Sequence, residues 1–268
     1  MSLGIVIVSY ESGETLERCL SGIGPERLAS TVVVDNASTD ASVDVARAFG
    51  ARVLRMTENL GFGRAATLGA RETAERHLCF LNPDCEPTPE IFEAGLAALD
   101  GHPLRCAVPE LVQHGGAVLP GRQPGYTRTK LLADMLENHY GRRSAGWLRS
   151  LPFHHNRSWA WPHGACLFIG RSFFEELGGF DAAYFLYMED VDLGRRIATA
   201  GGEVVALEKR LRHPAARGSR VSRHQRRALL DAGRLTYARR VYGRAFTALL
   251  RGCTLPSHWA RRDGARPR

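Results

Sequence analysis

The sequence predicts an α/β fold, with a wound and mostly parallel sheet flanked by helices. Short apolar runs recur at residues 3–9, 30–35 and 77–81, the first two rich in β-branched residues, a pattern typical of parallel strands covered on both faces. Segments with helical spacing separate these runs, and regular alternation of strand and helix indicates right-handed crossovers. The 268 residues, 44% hydrophobic and 24% charged, are enough to bury a sizeable core.

The first hundred residues are predicted to hold four strands and four helices. A turn after the second strand offers Ser38 or Thr39 as a helix cap, and Pro89 suits the first turn of a later helix. The predicted strands are residues 3–9, 30–35, 52–56 and 77–81, and the predicted helices are 15–23, 43–49, 64–75 and 90–99.

The second half of the chain is less regular. We expect residues 101–162 to form loops that shape a cleft rather than further strands of the central sheet, with one helix at 130–139. Strands are predicted at 164–170 and 203–207, and helices at 172–177, 189–199 and 226–251. We expect one domain over residues 1–218 and a basic helical tail over 219–268.

The tail is electrostatically distinct. From Lys209 to Arg268 there are 17 Lys and Arg residues and two acids, a net charge of +15, whereas the chain as a whole carries +8. An amphipathic helix with arginines on one side can pack against its own domain or lie on an anionic membrane, and both alternatives stay open; nucleic acid is not the expected partner. The expected apolar side consists of Leu229, Leu230, Tyr237, Val241, Tyr242, Ala245, Phe246 and Leu249.

The six cysteines lack a C-x-x-C pair, so we expect reduced and mostly buried thiols rather than a disulfide framework or a zinc site. The first residues read as a strand and not as a secretory signal, and no apolar run reaches the length of a bilayer span. A cytoplasmic protein is expected, with peripheral attachment to the inner face of the cell membrane as an alternative.

Three acidic features follow or adjoin predicted strands, where open α/β sheets bind ligands. Asp35 could accept hydrogen bonds from a base or ribose, although the sequence around it is equally compatible with a simple capping turn. The segment 82–84 (Asn-Pro-Asp) could hold a hard divalent cation, although such pairs are common in structural turns. Residues 189–192 place three carboxylates behind an aromatic run, which favours a raised pKa and a functional role.

The ordered motifs IVIVSYESGETLERCL, VVVDNASTD, NLGFGRA, FLNPDCEP and GACLFIGRSFFEELGGFDAAYFLYMEDVDLGRRIATAG, followed by His213, resemble the inverting family 2 glycosyltransferases of the GT-A fold. Among these, the chain is most similar to bacterial rhamnosyltransferases. The resemblance covers about residues 3–218, and six motifs in order are far more specific than one.

The resemblance implies a role for each matching residue. The donor-binding set would be Ser9, Tyr10, Glu11, Asp35, Asn59, Gly61, Arg64 and Asn82. Asp84 would bind Mg²⁺ or Mn²⁺, with His213 as a further ligand, and Asp190 would be the catalytic base. The acceptor side would include Trp161, His163, Gly164, Glu189 and Asp192.

The implied donor is a dTDP- or UDP-linked sugar, with rhamnose as one candidate, and the implied acceptor is a glycan or lipid-linked hydroxyl in cell-envelope synthesis. A homodimer is compatible with the sequence. The chain departs from the family pattern in three places, because Asn82 stands at the first position of the D-x-D motif, Glu11 replaces a frequent Asn, and Ala66 and Thr67 replace amide residues.

Three other functions compete. A sugar nucleotidyltransferase needs a glycine-rich, arginine-bearing loop after the first strand, and a dinucleotide-dependent oxidoreductase needs G-x-G-x-x-G there. The segment VSYESGETL is neither. A non-catalytic polyanion binder acting through the tail would show salt-sensitive binding without donor hydrolysis.

Overall fold

A computed structural model describes residues 2–151, 155–214 and 222–253 of the chain. Its strands are β1 (Leu3–Ser9), β2 (Thr31–Asp35), β3 (Arg52–Arg55), β4 (His77–Leu81), β5 (Arg105–Val112), β6 (Val118–Leu119), β7 (Arg122–Tyr126), β8 (His155–Pro162), β9 (Cys166–Gly170) and β10 (Glu203–Arg212). Its helices are α1 (Gly13–Ser21), α2 (Pro25–Leu28), α3 (Ser42–Ala48), α4 (Phe62–Arg71), α5 (Pro89–Leu99), α6 (Arg128–Tyr140), α7 (Gly146–Arg149), α8 (Arg171–Glu176), α9 (Glu189–Thr199) and α10 (Arg223–Gly252).

The central sheet has the strand order β10-β5-β9-β4-β1-β2-β3, with β6 paired to β5. Strands β3, β2, β1 and β4 run parallel. Strand β9 is antiparallel to both of its neighbours, and β10 runs parallel to β5. The predicted α/β class with a mostly parallel sheet is therefore confirmed.

Alternating residues of the central strands build two apolar layers, as expected for a sheet covered on both faces. In β1, Ile5 and Ile7 face the layer formed with α1 and α5, whereas Val6 and Val8 face the layer formed with α4, α8 and α9. The side chains of β1 and β2 are all buried. This packing fixes the register of the strands and hence the positions of the residues at their ends.

The prediction that residues 101–162 add nothing to the central sheet is wrong. Strand β5 lies inside the sheet between β9 and β10, and its apolar run is less continuous than that of β1 because Pro109 and Glu110 interrupt it. Strands β7 and β8 form a separate two-stranded sheet. That small sheet packs on α9, where a Cβ added at Gly194 would lie 2.4 Å from the Trp161 Cα.

The predicted cap of α3 is also wrong. The helix begins at Ser42 and its N-cap is Ala41, without a side-chain cap. The Ser38 hydroxyl instead accepts a hydrogen bond from the Glu11 backbone N–H at 3.0 Å. The turn after β2 is therefore bonded to the loop after β1. A local capping pattern does not predict this long-range contact.

Helix α10 packs against the rest of the chain. Tyr237, Ala238 and Leu250 are buried in a cluster with residues of α6 and α9, and Tyr242 donates a hydrogen bond to the Tyr126 carbonyl at 2.9 Å. The helix breaks at Gly243, where φ is 83°. Among the described residues, no helix combines the length and the hydropathy that a membrane span requires.

Helix α10 departs from the predicted amphipathic pattern at two residues. Leu249 was expected on the apolar side but is 54% exposed, because the turn at Gly243 rotates the residues that follow it. Arg234 was expected on the polar side but lies inward, within 3.6 Å of both Asp134 and Asp231.

Candidate active site

The ends of several strands meet at one edge of the central sheet. Because β1, β2 and β4 are parallel, Ser9, Asp35 and the segment after Leu81 lie at the same edge. The antiparallel strand β9 begins there, and the Asn82 backbone N–H donates to the Ala165 carbonyl at 2.8 Å. Strand β10 also ends at this edge, immediately before His213. The topology thus gathers residues that are far apart in sequence.

A cleft of about 260 Å³ opens at this edge. Six predicted residues line it: Tyr10, Glu11, Asn59, Gly61, Asn82 and Asp84. Residues that sequence reasoning had not assigned to the site also line it, among them Asn36, Phe185 and Leu229. Asn36 belongs to the DNASTD motif and could have been found there, whereas Leu229 comes from α10, outside every motif.

Ser9 and Asp35 lie beneath the cleft rather than in its lining. They are paired in the β1–β2 register and are both fully buried. One Asp35 oxygen accepts from the Ser38 N–H at 3.3 Å and approaches the Arg55 Nε at 4.0 Å. The other Asp35 oxygen and the Ser9 hydroxyl have no hydrogen-bond partner among the described residues. A buried polar atom without a hydrogen-bond partner destabilises the fold, and a bound ligand that supplies the partner removes this cost.

The loop after β3 is held by two amides. Asn36 donates to the Asn59 side-chain oxygen at 2.9 Å and accepts from the Leu60 N–H at 2.9 Å. Gly61 has φ of 80°, and a Cβ there would lie 2.1 Å from the Phe185 carbonyl oxygen. Only glycine fits this conformation and this close approach, so the predicted Gly61 is a structural requirement of the cleft wall.

Glu11 ties the first loop to the turn after β2. Its carboxylate accepts hydrogen bonds from the Thr39 N–H and hydroxyl, each at 2.8 Å. Its backbone has φ of 52°, an uncommon value for a residue with a side chain. Glu11 therefore positions the loop that carries Tyr10, besides lining the cleft itself.

Arg64 occupies a different place from the other donor-side residues. It is an exposed residue in the first turn of α4 and is not among the residues that line the cleft. The helix turns this side chain outward while Gly63 and Ala65 pack inward.

Asp84 and His213 form a pair that can hold a divalent cation. The His213 Nε2 lies 3.2 Å from an Asp84 carboxylate oxygen, and both side chains are largely buried. Carboxylate and imidazole suit Mn²⁺, and the carboxylate also suits Mg²⁺. The Cys85 thiol lies in the same group, with ligand atoms within 4.8 Å of one another. The thiol donates to the Ala165 carbonyl at 3.3 Å, and its soft sulfur suits neither Mg²⁺ nor Mn²⁺, so Asp84 and His213 are the candidate ligands.

Asp190 sits in the first turn of α9, beside the start of β9. Its carboxylate accepts from the Gly164 N–H at 3.1 Å and from the Val191 N–H at 2.8 Å. Burial raises the pKa of Asp190 to about 6, an increase that these backbone donors limit. Gly164, which donates to Asp190, is followed by Ala165, whose carbonyl accepts from the Asn82 N–H. These two consecutive residues link the Asp190 carboxylate to the segment that carries Asp84. A carboxylate with this pKa can act as a base near neutral pH.

Glu189 precedes Asp190 and is buried more deeply. One of its oxygens has no partner among the described residues, and its Cβ lies 3.6 Å from the position a Cβ would take at Gly63. Burial and the nearby Asp190 charge raise the pKa of Glu189 to about 8. Glu189 is therefore mainly neutral at pH 7, which avoids two adjacent negative charges.

The backbone leading into these acids adopts a rare conformation. Tyr187 and Met188 have φ of 71° and 74°, in the left-handed region that residues with side chains seldom occupy. Such a conformation persists only where surrounding contacts enforce it. Helix α10 supplies one of them, because Gly233 packs against the Tyr187 carbonyl.

The predicted acceptor side lies beside Asp190. Trp161 donates to the Pro124 carbonyl at 3.0 Å, and its ring stacks on His163 with centroids 6.4 Å apart. The His163 ring in turn lies 6.1 Å from the His213 ring. Burial, together with His213, lowers the pKa of His163 to about 4, so His163 is neutral at pH 7.

Asp192 points away from this group. It is buried, accepts from the Arg196 Nε at 2.7 Å and lies 3.5 Å from the Tyr184 hydroxyl. Arg196 also donates to the Leu177 and Gly179 carbonyls. Asp192 therefore anchors α9 to the aromatic loop before it, which is a supporting role.

The sequence profile of glycosyl transferase family 2 matches residues 4–178. The chain belongs to this family. It is also 32% identical over 219 residues to an N-acetylglucosaminyl-diphospho-decaprenol L-rhamnosyltransferase of Mycobacterium tuberculosis, covering 74% of this chain and 71% of the relative. The resemblance to family 2 glycosyltransferases and to bacterial rhamnosyltransferases is confirmed, and the chain is a glycosyltransferase.

Solved structures share the fold. The crystal structure of GalNAc-T7 with UDP, GalNAc and Mn²⁺ superposes with a TM-score of 0.65 at 18% identity, covering 90% of this chain and 48% of that one. A mannosyltransferase from Pyrobaculum calidifontis, solved with GDP-Man and Mn²⁺, superposes with a TM-score of 0.55 at 14% identity, covering 98% and 79%. These superpositions confirm the GT-A fold of the family 2 enzyme.

Proposed function

We propose that this family 2 enzyme transfers a sugar, with rhamnose as the candidate, from a dTDP- or UDP-linked donor to a hydroxyl of a lipid-linked glycan, with inversion at the anomeric carbon. The observation that carries the proposal is made at one edge of the sheet, where Asp84 lines the cleft and pairs with His213. Asp190 is linked to the same edge, because it accepts from the Gly164 N–H and the next residue, Ala165, accepts from the Asn82 N–H. The rhamnosyltransferase relative, whose name specifies a lipid-linked acceptor, supports the sugar and the acceptor class.

Each side of the site has a role in this scheme. The unpartnered oxygen of Asp35 and the Ser9 hydroxyl support recognition of the base or ribose of the donor. Asp84 and His213 would hold Mg²⁺ or Mn²⁺, and such an ion neutralises the charge that grows on a departing diphosphate. Arg64 keeps its assigned role near the donor phosphates only if its exposed side chain turns toward the cleft on donor binding.

Asp190 acts as the base in the proposed reaction. It takes the proton of the acceptor hydroxyl while that oxygen forms a bond to the anomeric carbon, and the bond between this carbon and the diphosphate oxygen breaks with both electrons leaving on oxygen. Because the Gly164 and Val191 N–H groups fix the carboxylate, little reorganisation is needed. A single displacement inverts the anomeric configuration.

The test combines a donor screen with one variant. Thermal shifts with dTDP- and UDP-sugars, in Mg²⁺ or Mn²⁺, identify the donor because only a bound nucleotide stabilises the fold. Asp190→Asn is expected to keep that shift and to lose transfer by about 10²-fold or more. Asp44→Asn, an exposed acid at the start of α3, is the matched control. Normal turnover by Asp190→Asn, or a product with retained configuration, would contradict the proposal.

The proposal places the enzyme in the cytoplasm, where nucleotide sugars are made, and at the inner face of the cell membrane, where a lipid-linked acceptor is anchored. A homodimer is not needed for this chemistry, because all the proposed residues come from one chain.

A further inference from the structure

The ends of α6 and α7 expose large aromatic side chains. Trp147 is 63% exposed and Tyr140 is 46% exposed. Leu148 and Ala145, by contrast, are buried in a small cluster that holds α7 against α6. An exposed Trp and Tyr on an otherwise packed helical hairpin suit the boundary between water and lipid, where one end of each ring is apolar and the other is wet.

The surroundings of these aromatics are basic. The sequence holds no Asp or Glu between Glu137 and Glu175, whereas five arginines occur there. Arg143 and Arg149 are exposed next to Tyr140 and Trp147, and Arg149 is ion-paired with Glu137. A second acid-free stretch, residues 209–230, leads into α10. The local charge therefore complements an anionic surface.

The same region adjoins the cleft through α10. Asn138 and His139, at the end of α6, contact Asp231 at 2.8 and 2.7 Å, and the Arg227 Nε lies 3.4 Å from Asn138. Another face of the same helical segment contributes Leu229 to the cleft mouth. A helix is about 10 Å across, so the end of α6 lies about one helix diameter from the opening.

We propose that Tyr140, Arg143, Trp147 and Arg149, here called the aromatic–basic surface, bind the headgroup region of an anionic lipid bilayer. This surface would bring the cleft mouth to the level of a lipid-linked acceptor, so the proposal rests on the proposed function. It assigns membrane contact to the α6–α7 hairpin rather than to the exposed arginines at the far end of α10. Two aromatic anchors accompanied by arginines match a bilayer interface better than a nucleic-acid groove.

The test is sedimentation of the full chain with vesicles of phosphatidylcholine alone and of phosphatidylcholine mixed with phosphatidylglycerol. We expect binding to the anionic vesicles only. Arg143→Glu should weaken that binding by at least about fivefold, and Trp147→Ala should weaken it on the same vesicles. The matched controls are Arg244→Glu and Leu249→Ala, which alter an exposed arginine and an exposed leucine beyond the break in α10; both should bind like the unmodified chain.

Two outcomes would overturn the proposal. One is unchanged vesicle binding by both hairpin variants; the other is an equal loss with Arg244→Glu, which would assign binding to the far end of the tail. All four variants should keep the thermal shift given by the donor nucleotide, and this readout separates the two proposals. Absence of any donor shift in the unmodified chain would count against the glycosyl-transfer proposal and leave the vesicle result standing.

Discussion

Gly233 of α10 packs against the backbone carbonyl of Tyr187, so closely that an added Cβ would lie 2.6 Å from the carbonyl oxygen. Tyr187 and Met188 are the two residues in left-handed conformation that lead into the acids of α9. The C-terminal helix thus supports the backbone from which Glu189 and Asp190 extend. Helix α10 therefore contributes to the geometry of the proposed base.

Gly233→Val is therefore expected to impair both stability and transfer. The new side chain must displace either α10 or the Tyr187–Met188 backbone, at a cost of about 1 to 3 kcal/mol in the free energy of unfolding. Thermal denaturation and initial rates measure the two effects. Gly252→Ala, at a glycine of the same helix with open space around it, is the control and should not destabilise the fold. Equal behaviour of the two variants would contradict the packing argument.

Asp84 and His213 are expected to act as a unit in metal-dependent donor binding. Asp84→Ala and His213→Ala should each weaken Mn²⁺-dependent binding of the donor nucleotide, because each removes a ligand from the pair 3.2 Å apart. The double variant should be less affected than the product of the single effects, with a coupling of about 0.5 to 3 kcal/mol. Calorimetric titration of the nucleotide with and without Mn²⁺ measures this. Strict additivity would show that the two residues do not share an ion.

The pH dependence of transfer should report Asp190. A base acts in its unprotonated form, so kcat/KM is expected to fall as the pH drops below about 6, the raised pKa of this carboxyl. Glu189→Gln should leave this inflection nearly in place, because Glu189, with its pKa of about 8, is already neutral in that range. An inflection near pH 4, the usual value for an exposed carboxyl, would argue against Asp190 as the base.

Glu189 should make the fold less stable as the pH rises. Its pKa is about 8 in the folded chain and 4.5 as the ordinary value, so the folded state binds more protons between these limits. The free energy of unfolding therefore decreases with rising pH across this window, by up to about 1.4 kcal/mol per pH unit. Glu189→Gln should remove this dependence above about pH 6, because below that pH Asp190, with its own raised pKa of about 6, contributes a slope of the same sign. Urea denaturation at about pH 6.5 and about pH 8 tests it.

The control for that experiment is Glu176→Gln, which alters an exposed acid in α8. It should preserve the slope of stability against pH. A similar slope in Glu189→Gln would mean that the buried carboxyl does not hold its proton in the folded chain.

The buried strands of the first hundred residues and the polar residues at their ends could be predicted because they depend on local patterns. The buried runs of β1, β2 and β4 are apolar on both faces, and the polar residues after them mark one edge. Strand β5 was missed because Pro109 and Glu110 interrupt its apolar run and only its neighbours β9 and β10 make it a central strand.

The site was predictable to a similar degree. Asp84, His213 and Asp190 came from motif order, whereas Leu229 reaches the cleft through the tertiary packing of α10, which depends on long-range contacts such as Asn138 with Asp231. For Arg64, the motif predicted a position near the donor, whereas the first turn of α4 directs its side chain to solvent.

Helix α10 lines the cleft through Leu229, and this helix lies beyond the residues that match the family. Enzymes that share the common motifs can thus differ in the shape of this cleft through an appended segment, without any change at Asp84 or Asp190. A chimera that exchanges this helix between two relatives is then a practical route to altered ligand selectivity at the cleft, provided that the residue at position 233 stays glycine.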